Sequence, residues 1–184
     1  MSDARERVRE HLLEHSVRRG TFTLKSGRSS TWFIDSKQTV CDPAVMVDVA
    51  DLVLARIPDD ATAIGGLTMG ADGVSFITAG VAATRGRELR AFSVRKEEKD
   101  HGAGGRIAGA LVPGDHVVVT EDTVTRGTSL LEAARVVTDA GARVVLILAV
   151  VDRGGTAARL AAAEGWEFDA LFGAPDLGFE FEGA

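Results

Sequence analysis

One stretch, residues 117–129, limits the possible folds of this chain more than any other. It reads VVVTEDTVTRGTS. Residues 117–120 form a β-branched run without helical periodicity, which is typical of a strand buried on both faces. The apolar spacing of residues 130–140 predicts a helix with Thr128 or Ser129 as its cap. A strand, a short polar turn and a helix in this order indicate an α/β protein whose ligands gather at the carboxyl ends of its strands.

The turn between this strand and this helix combines acids with hydroxyl groups. Unpaired backbone N–H groups and the helix dipole at such a turn suit a phosphate monoester. Glu121 and Asp122 would repel the phosphate, so we expect them to accept hydrogen bonds from a sugar's hydroxyls or to face a magnesium ion. A phosphorylated sugar would suit both groups, with its hydroxyls at the acids and its phosphate at the helix start. An ordinary strand–loop–helix with an acidic turn would show the same pattern.

The segment resembles the 5-phosphoribosyl-1-pyrophosphate (PRPP) signature of the type I phosphoribosyltransferases, which consists of an apolar strand, two acids and a Thr/Gly-rich turn. The resemblance implies that the two acids contact the ribose hydroxyls and that residues 125–129 hold the 5′-phosphate. Arg126 stands where a small residue is common, which leaves its role open. The PRPP contacts implied here are Glu121, Asp122, Thr123, Thr125, Arg126, Gly127, Thr128 and Ser129.

The composition argues against a nucleic-acid or membrane binder, although a small anion could still bind where basic groups are concentrated locally. Twenty-one Lys and Arg against 27 Asp and Glu give the 184-residue chain a net charge of −6, which opposes binding to nucleic acid or to anionic membranes. The N-terminus lacks an apolar signal core, and the longest apolar run, residues 144–151, is too short to span a bilayer, so we expect a cytoplasmic protein. A single cysteine, Cys41, excludes an intrachain disulfide, and we expect it to be a small packing residue.

The rest of the chain alternates between helices and strands. We predict helices at residues 3–19, 42–56, 73–83, 130–140 and 156–163, and strands at residues 61–65, 89–94, 117–120, 144–151 and 168–172. Residues 21–24 and 31–35 are predicted to form a small hairpin outside the main sheet, and residues 168–172 an edge strand. This alternation predicts a central parallel sheet flanked by helices.

A charged and then glycine-rich segment follows the second predicted strand of the main sheet. Residues 95–106 read RKEEKDHGAGGR and concentrate basic groups in an acidic protein. Most charged loops are solvated hairpin tips. The three glycines would let this one hinge, however, and its cations would suit a pyrophosphate, so we favour a mobile catalytic lid. Its basic residues are Arg95, Lys96, Lys99, His101 and Arg106.

Two motifs narrow the resemblance to one family. RKEEKDHGAGG resembles the lid of the orotate phosphoribosyltransferases, and TLKSGRSSTWFID, residues 23–35, resembles the N-terminal hairpin of the same family. With the PRPP signature, these motifs span most of the chain in the family's order. The resemblance implies a single domain of residues 1–184, with an N-terminal hood of about residues 1–40, a core of about residues 41–184 and a lid of about residues 95–106.

The resemblance also implies individual roles. Lys25 would lie near the pyrophosphate and Phe33 near the base, while Trp32 is equally consistent with the hairpin core. Asp35 and Lys37 are predicted to make surface contacts or contacts behind the substrate-binding residues. The lid residues Arg95, Lys96, Lys99 and His101 would bind the pyrophosphate, and Lys99, His101, Glu121 and Asp122 would be the catalytic residues.

Arg153 follows Asp152 at the end of the predicted fourth strand. A guanidinium suits a planar carboxylate, so Arg153 could read the carboxylate that distinguishes orotate from uracil. The resemblance places an arginine at this point and implies Phe33 and Thr125 as further orotate contacts. A local surface pair of Asp152 and Arg153 is the alternative.

The implied reaction joins orotate to PRPP and releases pyrophosphate, a step of pyrimidine (UMP) biosynthesis. Magnesium would be held mainly by PRPP, with Glu121 and Asp122 reaching it through water, and the lid would enter the neighbouring site of a homodimer. The loop at residues 66–73 lacks the lysine that many members carry, which would shift charge neutralisation to Lys25 and the lid. The alternatives are a phosphoribosyltransferase for another nucleobase and a non-enzymatic PRPP-sensing regulator of the same fold.

Overall fold

The structure is a computed structural model that describes residues 2–23, 29–98 and 105–182. Its strands are β1 (Val17–Thr23), β2 (Ser29–Ile34), β3 (Ala63–Leu67), β4 (Arg90–Val94), β5 (Ile107–Gly109), β6 (His116–Val124), β7 (Arg143–Asp152) and β8 (Phe168–Gly173). Its α-helices are α1 (Ser2–His11), α2 (Lys37–Val40), α3 (Met46–Leu54), α4 (Gly70–Thr84), α5 (Thr128–Asp139) and α6 (Ala157–Ala163). A π-helical turn, Leu12–Ser16, follows α1, and a 3₁₀ turn, Ala174–Leu177, follows β8.

The main sheet has six strands in the order β5-β4-β3-β6-β7-β8. Its strands pair in parallel except for β5, which runs antiparallel to β4. The predicted parallel sheet flanked by helices is therefore confirmed, as is the position of β8 at an edge. Because β3, β4, β6 and β7 are parallel, their carboxyl ends share one edge of the sheet, and the loops that follow them meet there.

Helices cover both faces of this sheet, which explains the unbroken apolar runs of its central strands. Alternate residues of β6 enter two different cores. Val118 packs with residues of α3 and α4 such as Val49 and Val74. Val117 and Val119 pack on the other face with residues of α5 and α6. The two buried clusters hold the sheet rigid, so its carboxyl edge is a firm base for a site.

The N-terminal region differs from the predicted long helix. Helical structure ends by Ser16, and Arg18 and Arg19 lie in β1, paired with Phe33 and Trp32 of β2. The antiparallel hairpin outside the main sheet is confirmed, but its first strand begins four residues earlier than predicted. Cross-strand pairing with the aromatic strand outweighs the local helical pattern of these arginines.

Other differences lie at the ends of elements. The predicted helix at residues 42–56 begins only at Met46, because Asp42 forms a turn in which its carboxylate accepts from the Ala44 N–H at 2.8 Å. Strand β6 is five residues longer than predicted, and β5 and α2 were not predicted. Cys41 is exposed rather than packed in the core, so the prediction of a packing role was wrong. No helix in the described ranges is long and apolar enough to cross a membrane.

Candidate active site

Two adjoining cavities open at the carboxyl edge of the main sheet. The larger has a volume of about 770 Å³ and lies between the end of β6, the start of α5 and the hairpin. The smaller, of about 240 Å³, lies between the same strand and the loop that joins β3 to α4. Predicted site residues around the larger cavity are Phe33, Glu121, Thr123, Thr125, Arg126, Gly127, Thr128, Ser129 and Arg153. Those around the smaller cavity are Lys96, Glu121, Asp122 and Ser129.

The two acids lie inside β6 rather than after it. Glu121 and Asp122 are both buried, with 9% and 4% of their surfaces exposed. Glu121 faces both cavities, and Asp122 lines the smaller one. The rigid strand therefore fixes both carboxylates at the point where the cavities meet.

Three hydrogen bonds, from Ser36, Lys37 and Thr123, hold Asp122. Its Oδ2 atom accepts from the Ser36 hydroxyl at 3.0 Å and from Lys37 Nζ at 2.7 Å, and its Oδ1 atom accepts from the Thr123 N–H at 2.8 Å. Ser36 and Lys37 lie at the start of α2, some 85 residues earlier in the chain. This network satisfies a buried carboxylate and leaves little freedom in its orientation.

Glu121 has an unusual proton affinity. Burial, followed by the charge of Asp122 and a hydrogen bond with it, raises the pKa of Glu121 to about 8. The cations Lys37 and Lys96 act in the opposite direction and only partly offset this rise. In the ligand-free protein at neutral pH, Glu121 is therefore largely protonated and can donate a hydrogen bond as well as accept one.

The turn after β6 presents backbone donors to the larger cavity. Gly127 has a φ of +83°, the left-handed conformation that favours glycine, and a Cβ there would lie 3.3 Å from Ala157. Helix α5 begins at Thr128, with Gly127 at its N-cap, and within the described ranges no side chain caps that end. The predicted cap at Thr128 or Ser129 was thus wrong, and the first N–H groups of α5 are left for a ligand.

Arg153, directly after β7, is buried, with 5% of its surface exposed. Its Nη2 atom donates to the Ser30 hydroxyl at 2.8 Å, to the Trp32 carbonyl at 2.9 Å and to the Glu182 carboxylate. Its Nε atom has no partner among the described residues. The alternative of a surface pair with Asp152 is contradicted, because the Asp152 carboxylate accepts instead from the N–H groups of residues 154 and 155.

The aromatic residues of the hairpin divide between core and cavity. Trp32 is buried, stacks on Phe179 with ring centroids 4.3 Å apart, and lies under the Arg153 guanidinium at 5.0 Å. Phe33 points the other way, is 41% exposed and lines the larger cavity. Of the two aromatic residues, only Phe33 is therefore placed to face a base, and Trp32 belongs to the hairpin core.

The lid is described only at its base. The backbone N–H of Arg95 donates to the Arg106 carbonyl at 2.7 Å, and Arg106 Nε donates to the Arg95 carbonyl at 2.8 Å. Arg106 also pairs with Glu132 of α5. These contacts anchor both ends of the segment beside the smaller cavity, where Lys96 lies. The predicted site residues Lys25, Lys99 and His101 lie outside the described residues, so their roles stay predictions.

Sequence reasoning missed three charged residues of the site. Arg18 lines the larger cavity from β1, a position hidden by the prediction of a helix. Glu182 reaches Arg153 from the C-terminal segment, and no local pattern signals this contact. Lys37 lies against Asp122 and lines the smaller cavity. In the sequence, the one signal for Lys37 was its position two residues after the hairpin motif. That position predicted only a surface contact or a contact behind the substrate-binding residues.

The donor set fits a magnesium ion that is held mainly by its ligand. Among the residues that the structure describes, no three His, Cys, Asp or Glu side chains gather as a metal site. Glu121 and Asp122 nevertheless bring carboxylate oxygens to the smaller cavity, and oxygen is the ligand that Mg²⁺ prefers. A magnesium ion that retains water and phosphate ligands would need no more from the protein.

Comparisons with known proteins identify the family. No protein-family model matches the chain. An orotate phosphoribosyltransferase of Streptomyces avermitilis is 37% identical over 182 residues, which cover 98% of this chain and 100% of that protein. A phosphoribosyltransferase of Corynebacterium diphtheriae superposes with a TM-score of 0.85 at 36% identity, over 97% of this chain and 100% of that one. The orotate phosphoribosyltransferase of Mycobacterium tuberculosis, solved in complex with PRPP, superposes with a TM-score of 0.80 at 34% identity, over 96% and 99% of the two chains. This chain belongs to the orotate phosphoribosyltransferase family.

Proposed function

We propose that the larger cavity holds orotate and the ribose 5-phosphate part of PRPP, and that the smaller cavity holds its pyrophosphate. Members of this family are pentosyltransferases that join orotate to PRPP. One observation carries the assignment: the two cavities meet at Glu121, between the phosphate-binding turn and the loop before α4. The anomeric carbon, where one bond breaks and another forms, belongs at that junction.

The geometry suits a displacement at that carbon. As the bond to pyrophosphate breaks, positive charge grows on the ribose ring and negative charge on the leaving group, while a ring nitrogen of orotate forms the new bond. Glu121 and Asp122, fixed in β6, would hold the ribose hydroxyls, and the N–H groups of residues 127–129 would hold the 5′-phosphate. Magnesium, when bound to the pyrophosphate, would supply positive charge that stabilises its departure.

The base would lie between the hairpin and the end of β7. Phe33 offers an aromatic face, and Arg153 supplies a buried guanidinium whose Nε is unpaired within the described ranges. Burial lowers the pKa of Arg153, against the opposing charge of Glu182. The guanidinium stays charged at neutral pH nonetheless, because arginine titrates far above that range. A planar cation held in place by Ser30, Trp32 and Glu182 suits a planar anionic base.

The lid and the assembly complete the proposal. The ends of the lid are anchored by Arg95, Arg106 and Glu132, so its middle would close over the pyrophosphate. We propose that Lys99 and His101 assist the departing group and that they do so in the neighbouring site of a homodimer. We further propose a cytoplasmic enzyme without nucleic-acid or membrane partners, and the net charge of −6 supports the absence of polyanionic partners.

A base panel tests the function directly. Pyrophosphate release from PRPP and magnesium should occur with orotate, and at most weakly with uracil, adenine or hypoxanthine. Arg153→Ala should raise the orotate KM by roughly 30- to 150-fold, the loss of a charge-assisted hydrogen bond of about 2–3 kcal/mol, and should change the PRPP KM far less. Preferred turnover of another base would contradict the substrate assignment. A larger rise in the PRPP KM would assign Arg153 to phosphate.

A further inference from the structure

The loop that lines the smaller cavity supplies no positively charged side chain to balance a bound pyrophosphate. The cavity presents the carboxylate of Asp122 beside the buried acid Glu121, yet it is proposed to receive a highly negative pyrophosphate. The loop that lines the cavity lies within residues 66–73, which contain no lysine or arginine. Backbone N–H groups at the start of α4 offer partial charges only. Full positive charge must therefore come from elsewhere in the chain.

Lys37 is in position to provide it. The residue opens α2, directly after Ser36, whose hydroxyl is tied to Asp122. Its Nζ atom lies 2.7 Å from Asp122 Oδ2 and 3.9 Å from Asp35 Oδ1, and the residue lines the smaller cavity together with the loop. The hydrogen bond to the buried Asp122 places the ammonium group at the cavity.

The ammonium group of Lys37 also has hydrogen-bond donors that are available to a ligand. Burial lowers the pKa of Lys37, but the hydrogen bond and the charge of Asp122 outweigh that effect, and the net shift is upward. The group is therefore cationic at any physiological pH. It carries three N–H donors, and within the described ranges it donates one hydrogen bond, to Asp122. With 46% of its side chain exposed, it can turn the others toward a ligand in the cavity.

We propose that Lys37 is a pyrophosphate-binding residue, which bridges the leaving group of PRPP and the ribose-binding carboxylate Asp122. The proposal rests on the assignment of the smaller cavity to pyrophosphate. Lys37 offsets the charge of Asp122 and donates to the phosphate oxygens in the smaller cavity. Lys96, from the base of the lid, provides a second cation at the same cavity.

A purely structural role makes a different prediction. If Lys37 served only to hold Asp122, its loss would disturb the carboxylate that contacts the ribose, and ligands without a pyrophosphate would suffer equally. Binding of inorganic pyrophosphate and of ribose 5-phosphate to the full-length protein therefore separates the two roles. Both affinities can be measured by calorimetry in the presence of magnesium and without any base.

We expect Lys37→Gln to weaken pyrophosphate binding by roughly ten- to a hundredfold, the usual effect of losing a charge-assisted hydrogen bond. Ribose 5-phosphate affinity should change by no more than about twofold. Lys37→Arg should keep most of the pyrophosphate affinity, because it keeps the charge and the donors. Gln38→Ala is the matched control, since Gln38 is the exposed next residue of the same helix and does not line the cavity; it should bind both ligands as the wild type does.

Two results would overturn the proposal. An equal loss of ribose 5-phosphate affinity in Lys37→Gln would make Lys37 a support for Asp122. Unchanged pyrophosphate affinity in a variant whose thermal unfolding matches the wild type would remove it from the site. A base panel without orotate activity would instead refute the proposed function, so the two failures are distinguishable.

Discussion

At the scale of single residues, burial determines the protonation state of Glu121. The side chain is held in a strand against Asp122, and it is almost fully withdrawn from water. Withdrawal from water disfavours the charged form, and so the acid keeps its proton near neutral pH in the absence of substrate. The approach of cationic groups, from the lid or with the substrate, would favour release of that proton. The charge of the site thus depends on what is bound.

The raised pKa of Glu121 predicts how stability depends on pH. Glu121 loses its proton near pH 4.5 in the unfolded chain and near pH 8 in the folded one. Between these values the folded state binds the extra proton, so the free energy of unfolding should fall as pH rises, by an amount on the order of a few kcal/mol. Glu121→Gln should flatten this part of the profile. Urea unfolding of the ligand-free protein from pH 5 to pH 9 measures it, and an identical slope in the variant would contradict the assignment.

At the scale of elements, helix α4 must approach β6 closely for the two cavities to meet. A Cβ added at Gly70, the first residue of α4, would lie 1.7 Å from Glu121 Oε1 and 2.6 Å from Asp122 Oδ1. Real side chains do not tolerate such distances, so either the helix or the two acids would have to shift. Glycine at this position is thus a requirement of the site rather than of the helix, which it weakens.

The glycines of α4 provide a matched pair of variants. Gly70→Ala should lower kcat/KM at least tenfold, because displaced carboxylates no longer hold the ribose. Gly80→Ala lies in the same helix with open space around the added Cβ. It should keep full activity and raise the free energy of unfolding by about 0.5–1 kcal/mol, the helix-propensity difference. Steady-state kinetics and urea unfolding test both variants, and normal turnover of Gly70→Ala would show that the acids tolerate displacement.

At the scale of the whole molecule, the proposed sharing of the lid between subunits can be tested by mixing two inactive variants. Lys99→Ala removes a proposed lid cation, and Asp122→Asn removes a proposed ribose contact. If the two are unfolded and refolded together in equal amounts, random pairing makes roughly half the dimers mixed. A lid that crosses the interface leaves one intact site in each mixed dimer, so roughly a quarter of the wild-type activity should return.

The control for this experiment is the pair of variants refolded separately, with subunit exchange verified by mass spectrometry. A lid that closes over its own site leaves one lesion in every site of every dimer. Activity in the mixture would then stay at the level of the separate variants, and the shared-site arrangement would be rejected. The result bears on the assembly alone, because both outcomes are compatible with the same reaction.

Local sequence was enough to predict the architecture, and it predicted the residues that the structure brings to the centre of the candidate site. The β-branched run before Glu121, the glycine after Arg126 and the apolar spacing of α5 are features of neighbouring residues, and each acts through backbone preferences and burial that neighbours determine. The position of Arg153 at a strand end followed from the same pattern. The ends of helices and strands were predicted less well, as at Arg18 and Met46. Strand partners and turns determine where an element ends, and the pattern of the element itself does not contain them.

Tertiary structure alone decided which side chains meet across the chain. Ser30 and Glu182 are 152 residues apart, yet both contact Arg153, and Lys37 reaches Asp122 across 85 residues. Such contacts form where the hairpin, the C-terminal segment and the carboxyl edge of the sheet converge, and they depend on distances in space that no local pattern encodes. The sequence by itself determined the fold and the kind of ligand, because both follow from local burial and turn chemistry. The partners that orient the charged groups of the site were decided only by the packing of distant segments.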